Sequence, residues 1–362
     1  MSGVRIFLAG AGLMGTDIAY IFASKGFRVV LYDISPDSLA RARERHLYLS
    51  RNVDTGSPEL IDNIVYTTDI NDSRGAEFVF EAVVEDLKVK RRLFSDLEGI
   101  LGRDILFATN TSSYTVSELA SHLDDPGRLV AMHFSNPPIE MKLVEVVGSS
   151  YTADRALDSI IEYSRLIGKE PIVLDKDCRG FVLNRLIYTA FVVALYQLDR
   201  GVRPESIDAG VKGLGVPYGV VEGMDLIGLD VVKRILDNLF EAYGDIYRYP
   251  ANILEDMISR GKLGKKAGIG FYRWESGSAV IPEAEPVDPT PYLAVVVNEA
   301  FRVVEDGVAD KARVDEVYRL GVGSPAGLFE LADLFELDNL RDILNAMYSE
   351  TGHRVFKWSG PD

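Results

Sequence analysis

Near its N-terminus the chain reads Gly10-Ala11-Gly12-Leu13-Met14-Gly15, and the flanks of this run constrain the fold more than anything else in the sequence. The apolar stretch Val4-Arg5-Ile6-Phe7-Leu8-Ala9 precedes it, and the helical pattern Thr16-Asp17-Ile18-Ala19 follows. A strand that enters a helix through G-x-G-x-x-G opens a βαβ unit. The first glycine permits the tight turn, the second lets backbone approach a pyrophosphate, and the third lets the helix pack closely on the strand. The helix N-terminus then offers unpaired N–H groups and a positive dipole end to an anion. A second apolar stretch, 27–32, ends in Asp33, 18 residues after Gly15, where an acid would hold ribose hydroxyls. The same glycines could form a plain turn in any α/β protein, but the strand before and the acid after favour a dinucleotide. No Arg or Lys follows Asp33 within residues 34–38 to meet a 2′-phosphate, so NAD is expected over NADP.

At 362 residues the chain is long for one core, and two or three domains are expected. Apolar runs at 4–9, 27–32, 64–67, 78–82, 105–109, 129–133 and 143–147 alternate with helical patterns at 38–50, 87–101 and 115–122. A helix at 153–168 and a strand at 172–174 close this half. The alternation predicts a Rossmann-type, doubly wound, mostly parallel α/β domain over 1–176. The second half reads as all-α. Its first stretch, 177–274, includes residues 181–198, apolar on several faces and so expected to be a buried central helix. Residues 275–291, rich in Pro, Gly, Ser and acid, read as a linker. Helical character resumes over 292–362.

An internal repeat crosses that linker. Gly215-Val216-Pro217-Tyr218-Gly219-Val220-Val221-Glu222 is answered 108 residues later by Gly323-Ser324-Pro325-Ala326-Gly327-Leu328-Phe329-Glu330. Asp225 matches Asp333, and Leu229-Asp230 matches Leu337-Asp338. A duplicated helical unit is expected, with the second copy docked on the first inside one chain in place of a partner subunit.

The net charge of −16 removes a basic nucleic-acid footprint as a whole-chain property. No apolar stretch reaches the ~18 residues of a membrane span. The single Cys178 excludes an internal disulfide framework and fits a reducing cytoplasm, and residues 1–5 are expected to enter the first strand with no leader peptide before it. No Cys/His cluster has metal-ligand spacing.

Only four histidines occur. His46 sits among Arg41, Arg43 and Arg45 and is expected on a solvated helix; His122 ends a helix and His353 lies near the C-terminus. His133 ends an apolar strand and precedes Phe134-Ser135-Asn136-Pro137. Ligands of open α/β sheets bind beyond the carboxyl ends of strands, and an imidazole there can move a proton near neutral pH. It could equally be a hydrogen-bonded strand end. Glu145 interrupts the apolar Leu143-Val144-Glu145-Val146-Val147, where a carboxylate is costly unless paired. A His partner would satisfy it; the alternative is an edge strand with Glu145 in solvent. Asn110-Thr111-Ser112-Ser113 follows a strand and could hold a carbonyl or cap the next helix. Glu85 and Lys90 could contact cofactor ribose or form an ordinary surface pair.

Together these residues resemble the L-3-hydroxyacyl-CoA dehydrogenase family. The resemblance is carried by residues 10–19, by Glu81-Ala82-Val83-Val84-Glu85-Asp86-Leu87-Lys88-Val89-Lys90, by Asn110-Thr111-Ser112-Ser113, by His133-Phe134-Ser135-Asn136-Pro137 and by Met141-Lys142-Leu143-Val144-Glu145-Val146. Gly180-Phe181-Val182-Leu183-Asn184-Arg185 and Gly264-Lys265-Lys266-Ala267-Gly268-Ile269-Gly270-Phe271-Tyr272 extend it to about residue 272. It implies that His133 is the base and Glu145 its orienting partner, with Ser112 and Asn184 near the reacting hydroxyl or thioester. It implies an NAD site lined by Gly10, Gly12, Leu13, Met14, Gly15, Asp33, Glu85, Lys90, Ser112, Asn136 and Lys266. The implied reaction is reversible oxidation of an (S)-3-hydroxyacyl-CoA to the 3-oxoacyl-CoA, as in fatty acid metabolism.

Three departures touch the acyl and CoA contacts rather than the redox chemistry. Arg179 stands where the family has Pro. Pro217-Tyr218-Gly219-Val220-Val221-Glu222-Gly223 replaces the usual Pro-Met-Gly-Pro-Phe-Glu-Leu. Residues 50–64 are shorter than the usual CoA-binding helical tail. Short acyl chains, such as 3-hydroxybutyryl-CoA, are therefore expected. Relatives with a second helical copy are often modules fused to an enoyl-CoA hydratase, so the chain could be free-standing or such a module. Alternatives are a dehydrogenase of a non-CoA hydroxy acid and a non-catalytic, crystallin-like relative.

Overall fold

The apolar runs of the first half form the strands of a single eight-stranded sheet, seen in a computed structural model that describes residues 4–52 and 58–361. Residues 53–57 of the short 50–64 region lie outside the described residues, as do residues 1–3. The strands are β1 (Arg5–Ala9), β2 (Arg28–Tyr32), β3 (Ile64–Thr67), β4 (Phe78–Glu81), β5 (Leu106–Thr109), β6 (Leu129–Phe134), β7 (Leu143–Val147) and β8 (Glu170–Leu174). Their order is β3-β2-β1-β4-β5-β6-β7-β8, parallel throughout except for the antiparallel β6–β7 pair. The direction of winding reverses between β1 and β4, which is where such sheets open a crevice for a ligand.

The helices are α1 (Leu13–Ser24), α2 (Pro36–Asn52), α3 (Leu87–Leu101), α4 (Val116–Ala120) and α5 (Asp154–Leu166). Asp86 starts α3 by accepting from the N–H groups of Lys88 and Val89, both at 2.9 Å. Thr115 and Glu118 form a capping box on α4, and the Asp177 carboxylate accepts from Val116 N and Ser117 N at 2.8 Å. These side chains satisfy N–H groups that a helix start leaves without intrahelical partners. Aromatic edges tie α1 to the sheet, Phe22 against Phe78, and link strands within it, Phe80 against Phe134.

One expectation needs correction here, and one alternative is set aside. His46 is fully buried rather than solvated: it shares a face of α2 with Leu39, Ala42 and Leu49. Its Nε2 lies 2.7 Å from Thr16 O and its Nδ1 2.7 Å from the Tyr66 hydroxyl, and burial pushes the imidazole below its ordinary range. Glu145 is not on an edge, because β8 flanks β7 on its far side.

The contact pattern divides the chain into two units between Cys178 and Arg179. The second unit is helical: α6 (Leu183–Asp199), α7 (Pro204–Lys212), α8 (Val220–Ile227), α9 (Leu229–Tyr243) and α10 (Ala251–Ser259), then α11 (Thr290–Glu305), α12 (Lys311–Val322), α13 (Leu328–Leu334) and α14 (Leu337–Thr351). Between α10 and α11 a short hairpin, β9 (Arg273–Glu275) with β10 (Ser278–Val280), runs into the start of the stretch read as linker.

The repeat has a physical basis. Asp208, buried on α7, accepts from Val221 N at 2.7 Å and Glu222 N at 2.8 Å, and so caps α8. A Cβ on Gly219 would lie 2.2 Å from the Asp208 carboxyl carbon, so only glycine fits. In the second copy Asp315 accepts from Phe329 N at 2.8 Å, and a Cβ on Gly327 would lie 2.3 Å from its carboxyl carbon. The recurring glycine is thus the space taken by a helix-capping carboxylate. The copies differ at the next acid. Asp225 is buried and accepts from Phe271 N, Tyr272 N and Trp274 Nε1, whereas Asp333 is exposed. As expected, α11 of the second copy packs along α6 of the first.

Candidate active site

The glycine loop joins β1 to α1. Gly10 has φ +107°, and a Cβ there would lie 2.3 Å from the carbonyl oxygen of Ala82 just beyond β4. A Cβ on Gly15 would sit 1.9 Å from Gly10 O. Both glycines are therefore required by packing. Gly12 differs: nothing lies within 4 Å of its virtual Cβ, so the backbone there faces open space. The first turn of α1 carries no acidic residue that would repel a phosphate. Asp33, at the end of β2, is fixed beside the loop, accepting from Ala11 N at 2.8 Å and Ser35 N at 2.9 Å. Leu13 is half exposed and Met14 partly so. Open backbone, helix N-terminus and strand-end acid together fit a dinucleotide.

Beyond β4 lies a charged network that the sequence reading only partly anticipated. Lys90 is 0 % exposed, so it is neither half of a surface pair nor presented to a ligand. Its ammonium donates to Glu81 Oε1 at 2.6 Å and lies 3.4 Å from Glu85 Oε1. Burial opposes its charge, but Glu81 and Glu85 more than offset that and hold it above the ordinary lysine range. Glu81 also accepts from Val83 N at 2.7 Å and the Thr109 hydroxyl at 2.6 Å. Glu85 accepts from the Thr111 hydroxyl at 2.6 Å. Lys90 therefore anchors Glu85 from behind. Glu81 was missed, although it carried the same signal as Glu145: an acid in an otherwise apolar strand, Phe78-Val79-Phe80-Glu81.

Next along the sheet, the loop after β5 carries Asn110 to Ser113. The cap of α4 is Thr115, so these residues do not serve as helix caps. Asn110 Oδ1 accepts from Phe134 N at 3.0 Å, which ties the loop to the end of β6. Ser112 is buried, and Asn136, after β6, is partly exposed.

His133 and Glu145 are directly opposed across the antiparallel β6–β7 pair. Opposed residues point to the same face, and here His133 Nδ1 lies 2.8 Å from Glu145 Oε2. Glu145 is 0 % exposed and His133 7 %. A buried carboxylate on one ring nitrogen fixes the tautomer and stabilises an imidazolium. In the second unit, Asn184 is the second residue of α6 and is buried, while Lys266 is exposed and pairs with Asp230. Among the described residues no helix is long and apolar enough to cross a membrane, and no group of three His, Cys, Asp or Glu could hold a metal ion.

Comparison with known proteins places this geometry. Residues 5–178 match the 3-hydroxyacyl-CoA dehydrogenase NAD binding domain. The C-terminal domain of the same family matches twice, over 180–274 and 292–360, so the repeat is two copies of one domain. The 3-hydroxyadipyl-CoA dehydrogenase of Escherichia coli is 34% identical over 292 residues, which span 78% of this chain and 61% of that protein. The (S)-3-hydroxybutyryl-CoA dehydrogenase PaaH1 of Ralstonia eutropha is 30% identical, with a TM-score of 0.64, over 75% of this chain and 99% of its own. The 3-hydroxybutyryl-CoA dehydrogenase structure from Escherichia coli shares the fold at a TM-score of 0.81 and 24% identity, over 98% of this chain and 96% of that one. The chain belongs to the NAD-dependent 3-hydroxyacyl-CoA dehydrogenase family, with its C-terminal domain present in two copies.

Proposed function

We propose that the chain oxidises short-chain (S)-3-hydroxyacyl-CoA, of the 3-hydroxybutyryl type, to 3-oxoacyl-CoA, and catalyses the reverse reduction. The observation that carries this reading is the buried His133–Glu145 pair at 2.8 Å, with His133 near the carboxyl end of β6 as the glycine loop is at the carboxyl end of the parallel β1. Gly10, Gly12, Leu13, Met14, Gly15 and Asp33 would hold the adenosine and pyrophosphate of NAD, with Glu85, Ser112, Asn136 and Lys266 toward the nicotinamide side. The chemistry that bound NAD would supply is a hydride acceptor for the carbinol carbon. His133 takes the hydroxyl proton on Nε2, since Nδ1 is engaged by Glu145. The Glu145 carboxylate stabilises the imidazolium so formed. Ser112 donates to the substrate oxygen as it becomes a carbonyl, and Asn184 contacts the reacting end of the acyl thioester. In the reduction direction His133 returns the proton.

The short-chain preference is supported by Tyr218, Val220 and Gly223, where the family usually carries Met, Pro and Leu, and by the 3-hydroxybutyryl-CoA named for the Ralstonia relative. The test is NADH consumption with acetoacetyl-CoA against free acetoacetate. Turnover of the thioester alone is expected. Equal or better turnover of the free acid would favour a non-CoA hydroxy acid. No turnover of either would favour a non-catalytic relative. A kcat/KM that rises steadily from C4 to C10 acyl chains would refute the chain-length preference.

A further inference from the structure

The side chain next to Asn184 is the largest fully buried one in the described chain. Arg185 is 2 % exposed, and a guanidinium is tolerated at such a place only when its donors are met. Its partners are carboxylates of the second helical copy. Nε and Nη2 both lie 2.7 Å from Glu299 Oε1, on α11, and Nη1 donates to Asp306 Oδ2 at 2.8 Å, just past the end of α11. From the first copy, the Tyr243 ring packs on its face, 4.6 Å from the centroid.

The backbone around Asn184 is held separately. Tyr243 donates to Arg179 O at 2.8 Å and Tyr247 to Arg185 O at 3.0 Å. Between those two anchors the chain turns through Gly180 at φ +80° and Phe181 at φ +50°. The second is a left-handed conformation that a bulky residue adopts only when its surroundings impose it. The second copy is itself braced toward this point. Arg302 donates to Glu299 Oε2 at 3.1 Å, and its other donors reach Lys357 O at 2.6 Å and Ser359 Oγ at 2.9 Å. The C-terminal segment aims Arg302, Arg302 aims Glu299, and Glu299 holds Arg185.

We propose that the second helical copy takes part in catalysis as a positioning element: through Glu299 and Asp306 it fixes Arg185, and with it the first turn of α6 that presents Asn184. The proposal rests on the role given to Asn184 above. Glu299, Asp306 and Arg302 are positioning residues.

The test is a double-mutant cycle on kcat, using the full chain with acetoacetyl-CoA and NADH. Glu299→Gln keeps the side chain's shape and removes its charge. In the parent background kcat should fall ~10- to 100-fold, the scale on which small misplacements of a reacting group act, with KM for NADH within about twofold. In an Asn184→Ala background the same substitution should change kcat by less than about twofold, because the turn then presents nothing to position. An unchanged kcat in the parent background, or an equal loss in both backgrounds, overturns the proposal and leaves the dehydrogenase reading standing. An Asn184→Ala enzyme with parental kcat overturns the role of Asn184 and the proposal with it. Should Glu299→Gln fail to fold, Asp306→Asn, whose carboxylate is half exposed, enters the same cycle under the same criteria.

Discussion

Replacing Glu145 by Gln isolates one electrostatic contribution. The amide has nearly the shape of the carboxylate, and its carbonyl oxygen can still accept from His133 Nδ1 at the 2.8 Å now seen. What disappears is a full negative charge beside a ring that becomes positive as it takes the substrate proton. With charge centres ~4 Å apart and an effective dielectric of about 20, that attraction is worth about 4 kcal/mol. The proton is only partly transferred at the transition state, so roughly half to nearly all of this is lost from the barrier. At ~1.4 kcal/mol per tenfold, kcat should fall by about 30- to 1000-fold. KM for NAD should hardly move, since Glu145 lies on β7 and the glycine loop follows β1. The assay is initial-rate NADH formation from 3-hydroxybutyryl-CoA at saturating NAD, with circular dichroism to confirm folding. A folded variant within about threefold of the parent would show that the pair is a structural contact rather than a catalytic one.

Other expectations follow from the same geometry. His133→Ala should cost ~10²-fold or more in turnover with NAD binding intact by NADH fluorescence titration; near-normal turnover would remove His133 as the base. Asp33 should enforce NAD over NADP by about a hundredfold or more in kcat/KM, and equal values would contradict its ribose role. Asp208 has its carboxyl raised from 3.8 to about 6, chiefly by burial. The fold therefore holds a proton that the unfolded chain releases. Stability from this group is full below 3.8 and is lost as pH rises through about 6. Measured by denaturant unfolding, the parent should lose about 3 kcal/mol relative to Asp208→Asn between pH 3.5 and pH 7, and a constant difference would refute the shift. Because α11 covers α6 within the chain, light scattering should give the mass of one 40.0 kDa chain; a stable dimer would show that the intramolecular pairing does not replace a subunit interface.

The sheet was legible because buried parallel strands are short apolar runs, and each expected strand appears within a few residues of its place. The glycine loop was legible because only glycine survives at Gly10 and Gly15. His46 was misread from its arginine neighbours, although its spacing from Leu39, Ala42 and Leu49 already put it on the apolar face. Lys90 was misplaced for a different reason. A lysine is buried only when carboxylates meet it, and Glu81, nine residues upstream, could not be paired with it without knowing how β4 leads into α3. The pairing of His133 with Glu145 was a guess about register, which the apolar pattern of β6 and β7 does not set uniquely. Arg185 gave no signal of its own, since its partners lie more than 100 residues away in the second copy.

The one antiparallel joint in the sheet also bears on how relatives of this chain can diverge. His133 and Glu145 meet because their positions pair across a hairpin whose connection runs from Ser135 to Lys142. Sliding one strand by a single residue would set Glu145 opposite Met132 or Phe134, whose side chains point to the other face. The proton-handling pair would vanish entirely instead of weakening by degrees. The connection is constrained differently: it carries Asn136 of the proposed NAD site, and Lys169 Nζ donates to Pro138 O and Met141 O, both at 2.6 Å. A change of length in the connection after Asn136 leaves that register intact, so insertions and deletions should be commoner there than within β6 and β7 across homologues. Contacts made by that part of the loop can drift with its length while the proposed acid–base pair keeps its register.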